Sequence, residues 1–225
     1  MKQLFLSLII FCCTLNIYAE KDVTTFLGIP VDGTKEEMYQ KLQSKGFVVD
    51  SNDPDLLIGE FNGELVKIAF VTNKNKIWRI GVYDVQPHNE KIIKLRFNRL
   101  CSQFENNDRY LSPVPHGTYN IPEDEDISYE MTMRNKEYTA TFHQKLSNPV
   151  DTIDLAMQIK KTLLSEYSEK IDTITDELIN DLIGQIVIQK IREKQVWFTL
   201  IENNGQYTIL LCYDNLNNRA NGEDL

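Results

Sequence analysis

From residue 56 to 85 apolar and polar positions alternate with period two. Val66, Ile68 and Phe70 keep that spacing on one run, and Trp78, Ile80 and Val82 alternate with Arg79 and Gly81 on the next. Period two is the signature of strands with one face on a core. The turn signals between the runs, Asn62-Gly63 and Asn73-Lys74-Asn75, predict an antiparallel meander over 57–61, 64–72 and 77–85. A short helix precedes it. Thr34 and Glu37 have capping-box spacing, Met38 and Leu42 share a face, and Gly46 stands where a helix ends. A longer helix follows over 87–106, with Ile93, Phe97, Leu100, Cys101 and Phe104 at helical spacing.

The second half repeats the theme loosely. Alternation of Ile127, Tyr129, Met131 and Met133, matched by Tyr138, Ala140 and Phe142, predicts a hairpin of 127–133 with 137–143. From Pro149 to about Gly184 the period is helical, as two helices broken near 168–173. Ile153, Met157, Leu163 and Leu164 mark the first, and Ile174, Leu178, Leu182 and Ile183 the second. Strands are predicted at 186–191, 195–201 and 206–214, with a turn at Asn203-Asn204-Gly205. The expected fold class is therefore α+β, antiparallel sheet packed by helices, as a loose duplication of a helix-plus-meander unit. Residues 20–225 are expected to form a single domain. The stretch 112–126, carrying Pro113, Pro115, Gly117 and Pro122, is the candidate seam.

The N-terminus reads as a processing signal. Lys2 is followed by an apolar run over 4–13, then Ala19 and the polar Glu20-Lys21-Asp22. A basic start, a short apolar stretch and a small residue at the cleavage position make residues 1–19 a secretory signal peptide. The run falls short of the roughly 20 residues that span a bilayer. Lipidation of Cys12 or Cys13 would want a small residue before the Cys, where Phe11 and Cys12 stand. No transmembrane segment is expected in the mature chain, which would be periplasmic, extracellular or associated with the outer membrane. Its Cys101, on the apolar face of a helix, and Cys212, within a strand, read as two buried free thiols, and a disulfide between them is the alternative.

Composition narrows the function classes. With 24 Lys+Arg against 33 Asp+Glu the net charge is -9, which lacks the basic footprint of a nucleic-acid binder. At 42% hydrophobic the chain is too apolar to be disordered. No nucleophile elbow, paired metal-binding histidines, phosphate loop or dinucleotide fingerprint occurs. His88, His116 and His143 share no ligand spacing and read as solvated surface histidines, so neither a metal nor a cofactor is expected. A dyad of Cys101 with a histidine is conceivable, because such partners meet in space rather than in sequence.

Two polar clusters are the candidate binding residues. Glu123, Asp124, Glu125 and Asp126 form the densest acidic run, without the spaced Asp/Asn and Gly of a calcium loop. The tail offers Asn217, Asn221, Glu223 and Asp224. It reads either as local side-chain–backbone turns that hold the terminus on the last strand or as an acidic docking handle.

The segment Phe26-Leu27-Gly28-Ile29-Pro30-Val31-Asp32-Gly33-Thr34-Lys35-Glu36-Glu37-Met38 resembles the opening of uncharacterised secreted proteins of Bacteroides, Prevotella and relatives. The closing Tyr213-Asp214-Asn215-Leu216-Asn217-Asn218-Arg219-Ala220-Asn221-Gly222-Glu223-Asp224-Leu225 resembles the end of the same group. That resemblance implies export in an anaerobic Gram-negative bacterium and brings no catalytic residue with it. In outline the helix-then-meander order is also similar to beta-lactamase-inhibitor-like and outer-membrane assembly-lipoprotein-like folds, a likeness of architecture only. The functional expectation is a non-enzymatic interaction module of the cell envelope, binding another protein there or outside the cell through an exposed sheet face or the Pro-rich loop. The alternative is a secreted hydrolase using the carboxylates at 123–126.

Overall fold

The computed structural model describes residues 22–148, 150–166 and 175–219. They fall into two compact units, residues 23–145 with 193–219, and residues 146–148, 150–166 and 175–192 with Asp22. The whole of the 112–126 stretch lies inside the first unit.

That unit is built on strands β1 (Thr25–Phe26), β2 (Ile29–Pro30), β3 (Val48–Val49), β4 (Leu57–Phe61), β5 (Glu64–Asn73) and β6 (Lys76–Asp84), then β7 (Tyr110–Leu111), β8 (Thr139–Gln144), β9 (Lys194–Asn203) and β10 (Gln206–Asn215). Its helices are α1 (Lys35–Gln43), α2 (Glu90–Glu105) and α3 (Ile127–Arg134). β1 and β2 form a small hairpin. The other eight strands form one antiparallel sheet in the order β3-β4-β5-β6-β10-β9-β8-β7. Two meanders thus run outward from a seam between their last strands, β6 and β10. The α+β architecture read from the sequence is the one found.

The turns behave as their residues dictate. Asn62-Gly63, Lys74-Asn75 and Asn204-Gly205 all have positive φ, the pairing that two-residue hairpins require. α1 carries the expected capping box: the Thr34 side chain accepts from Glu37 N–H, and the Glu37 carboxylate accepts from Thr34 N–H. α2 starts three residues later than the Pro87 reading, because the Asn89 side chain caps Ile92 N–H.

One face of the sheet carries the core. Met38 and Leu42 of α1, Ile93, Phe97, Leu100, Cys101 and Phe104 of α2, and Ile127 of α3 pack with the inward residues Ile68, Ile80, Val196, Phe198, Ile209 and Leu211. Phe104, Phe142 and Phe198 stack at its centre, 4.9 to 6.2 Å between ring centroids.

Two predicted elements are corrected. Residues 127–133 form helix α3 rather than the first arm of a hairpin. The Asp126 side chain accepts from Tyr129 N–H at 2.9 Å, and Asn135 closes the helix in the left-handed region while Lys136 N–H reaches back to Glu130 O. Alternation over four apolar residues also fits a helix that buries only Ile127, and the caps decide for the helix. The run 186–191 is likewise helical. It continues the second of two helices in the other unit, α4 (Thr152–Glu166) and α5 (Asp176–Arg192). β-branched Ile186, Val187, Ile188 and Ile191 favour strands, but Ile179, Leu182 and Ile186 form a helical stripe that packs on Leu155, Ile159 and Leu163. Tertiary burial outweighs a propensity difference of less than about 1 kcal/mol per residue. The break expected at 168–173 lies outside the described residues.

Candidate interaction face

β5, β6, β10, β9 and β8 turn alternate side chains to the face opposite the helices. Register places Ala69, Gly81, Cys212, Trp197 and Thr141 in one row across these strands. The flanking rows are Lys67, Tyr83, Leu210, Thr199 and Thr139, and Val71, Arg79, Asp214, Gln195 and His143. Gly81 leaves room for the Tyr83 ring that leans across it: a Cβ there would lie 3.2 Å from the ring and push it aside by a few tenths of an ångström. Further out on this face, Leu65, Val71, Tyr83 and Ile201 are exposed by 50%, 42%, 39% and 38%.

At the heart of the face Arg79 donates from Nε and Nη2 to the two carboxylate oxygens of Asp214, both at 2.6 Å. Trp197 Nε1 donates to Asp214 Oδ2 at 3.0 Å, and the Thr24 hydroxyl donates to the Asp214 carbonyl. The Arg79 guanidinium lies 4.5 Å from the Trp78 ring centre and 5.0 Å from that of Trp197, and Arg219 sits 5.5 Å over Trp78. Trp78 reaches this position because the β5–β6 register slips between Val71 and Thr72. Asp214 holds the Arg79 guanidinium more firmly protonated than usual, and burial raises the Tyr83 hydroxyl. The arrangement offers no nucleophile: burial pushes the Cys212 thiol up to about 12.

The candidate disulfide is not formed, and both cysteines are free and buried. Cys101 packs with α2 on the helix-bearing face. Cys212, one residue from the inward-facing Leu211 and Tyr213, points to the other. The sheet separates them. The Cys101 thiol is also pushed up to about 12, chiefly by burial and then by Glu105, so a Cys101–histidine dyad lacks its thiolate.

The acidic run takes part in the fold. Asp126 caps α3, Glu125 Oε1 accepts from Lys136 and from the Tyr138 hydroxyl, and Lys94 Nζ donates to the carbonyls of Glu123 and Glu125, each at 2.8 Å. Glu123 and Asp124 point to solvent. The Pro-rich connection is fastened to α2. Asn98 exchanges two 2.8 Å bonds with the backbone of Ile121, and Glu105 accepts from Gly117 N–H at 2.8 Å.

The tail is structural as far as it is described. Asn215 donates to Val31 O at 2.8 Å and accepts from Asn217 N–H, while Asn218 donates to Asp32 Oδ1 and Ile77 O. Asn217 itself is exposed, and Asn221, Glu223 and Asp224 lie outside the described residues.

Of the three histidines only His116 is solvated. His88 is largely buried at its bridge to Tyr207, 3.8 Å from Glu64, and His143 is half-buried in β8 on the face opposite the helices. Among the described residues no three His, Cys, Asp or Glu side chains converge to hold a metal ion, and no helix is long and apolar enough to cross a membrane.

Sequence reasoning missed the Arg79, Asp214, Trp78 and Trp197 cluster. The one local signal was the Trp78-Arg79 pair. Comparison with known proteins finds no matching family model, no matching curated protein and no matching solved structure.

Proposed function

We propose that this is an exported, non-enzymatic interaction module of the bacterial cell envelope, whose contact surface for another protein is the sheet face opposite the helices. The observation that carries the reading is the composition of that face. Leu65, Val71, Tyr83 and Ile201 stand in the open around Trp197 and Arg79. The cations Lys67 and Arg79 are already matched by Asp50 and Asp214, in a chain whose net charge is -9. Tyr, Trp and Arg are the residue types enriched at protein–protein interfaces, and the Arg here is neutralised by its Asp214 partner. The Pro-rich connection, held to α2 by Asn98 and Glu105, is the weaker candidate.

The test is site-specific photocrosslinking in the native host, with the crosslinker at Tyr83 and, as control, at Leu95, an exposed position on α2. One dominant adduct at Tyr83 and none at Leu95 supports the proposal, as does its loss in Tyr83→Asp. The same adducts at both positions, or none at Tyr83, overturn it. Export has a separate check: the mass of the mature chain should correspond to a start at Glu20.

A further inference from the structure

Helix α4 is apolar on two sides. Leu155, Ile159 and Leu163, four residues apart, are buried against Ile179, Leu182 and Ile186 of α5. Ile153 and Met157 repeat the same spacing two residues out of step, which at 100° per residue turns them to the opposite side of the helix. They are exposed by 74% and 60%. A helix with apolar stripes on opposite sides is built for two partners, and α5 is one of them.

We infer that the second partner is another copy of this chain, which packs its own α4 against this stripe in antiparallel, two-fold register. Of the charges beside the stripe, Asp154 and Lys161 select that occupant, while the exposed Lys160 lies on the other flank of Met157. Asp154 and Lys161 lie on the same flank of Met157, each within about 60° of it, and seven residues apart, a rise of about 10 Å. They are equidistant from the midpoint between Met157 and Gln158. A two-fold axis through that point lays Asp154 of each copy beside Lys161 of the other and brings the two Met157 side chains together, with Ile153 on either end. Flank-to-flank pairing of this kind sets orientation in helix pairs. A parallel copy would turn each flank toward the opposite one, and the Asp154–Lys161 match would be lost. Asp154 is held in place within its own helix, accepting from Gln158 Nε2 at 2.6 Å. One four-turn helix against its copy makes a small contact, below the roughly 1,200 Å² of standard interfaces, so the dimer forms at high protein concentration.

Sedimentation velocity of the purified protein from micromolar to millimolar concentration tests this. A reversible monomer–dimer equilibrium is expected. Met157→Lys places two like charges at the symmetry centre and should leave a monomer. Asp154→Lys and Lys161→Asp should each weaken the dimer about tenfold, since each creates two like-charge contacts. The two together restore both pairs and should recover the parent affinity. All three positions are exposed, and circular dichroism should show parental helicity in every variant. A protein monomeric throughout overturns the inference. So does a dimer indifferent to Met157→Lys, or a double variant no tighter than the single ones. None of these substitutions touches the sheet face on which the binding function is proposed.

Discussion

Arg79 and Asp214 meet across the seam that joins the two meanders, β6 to β10, through two parallel hydrogen bonds of 2.6 Å. They stand 135 residues apart in the chain. The Asp214 carboxylate is 2% exposed and the Arg79 side chain 26%, so this is an ion pair taken largely out of water at the midline of the sheet. A planar guanidinium fits a carboxylate in this two-pronged way, and its flat faces are free to lie against Trp78 and Trp197.

Removing one member of such a pair strands the other. Asp214→Asn should destabilise the protein by about 3 kcal/mol in urea denaturation. Arg79→Met with Asp214→Leu, which removes both charges, should cost clearly less than the single change. Equal losses from the single and double variants would contradict this account.

Both thiols should be inert in the native protein. With Cys101 and Cys212 pushed up to about 12, the thiolate fraction near neutral pH is negligible. Native protein mixed with a thiol reagent should show neither residue modified by mass spectrometry, and denaturation without reductant should label both. Failure of both to label in denaturant would point to a disulfide.

Asp126→Ala should lower stability by about 1 kcal/mol through loss of the α3 cap. Restoring a side-chain acceptor with Asp126→Ser should recover most of that loss. Were the segment a strand, neither change would matter, so paired thermal melts of the two variants separate the alternatives.

Hydrogen bonds from Lys136 and Tyr138 hold the Glu125 carboxyl below its ordinary value. A carboxyl depressed by folding adds stability that is full above its unfolded value of about 4.3 and is lost as pH falls through the folded one. Glu125→Gln should therefore lower stability at neutral pH and flatten the fall in stability below about pH 5. Melting temperatures of the parent and variant should converge in acid.

Local order was readable where a residue acts on its near neighbours. Asn62-Gly63 fixes a turn through its own backbone, and Thr34 with Glu37 begins a helix through bonds three residues long. The misread segments are those where a local preference competes with a distant one. Four apolar residues at period two from Ile127 fit a strand or a sparse helix alike, and only a paired neighbour or a cap decides. Ile186, Val187 and Ile188 favour a strand until Leu155 and Ile159 offer a partner to the helix.

The sequence by itself determined the α+β class, most of the turns, the first two helices and the apolar side of β5, of β8 and of β6 beyond Trp78, because periodicity and capping act over a few residues. Tertiary structure decided the order of the strands, the separation of Cys101 from Cys212 by the sheet, and the gathering of Trp78, Arg79, Trp197 and Asp214 on one face. The physical reason is register. Cross-strand neighbours are chosen by backbone hydrogen bonds between segments more than a hundred residues apart, and a slip of one residue would turn each of those side chains to the opposite face.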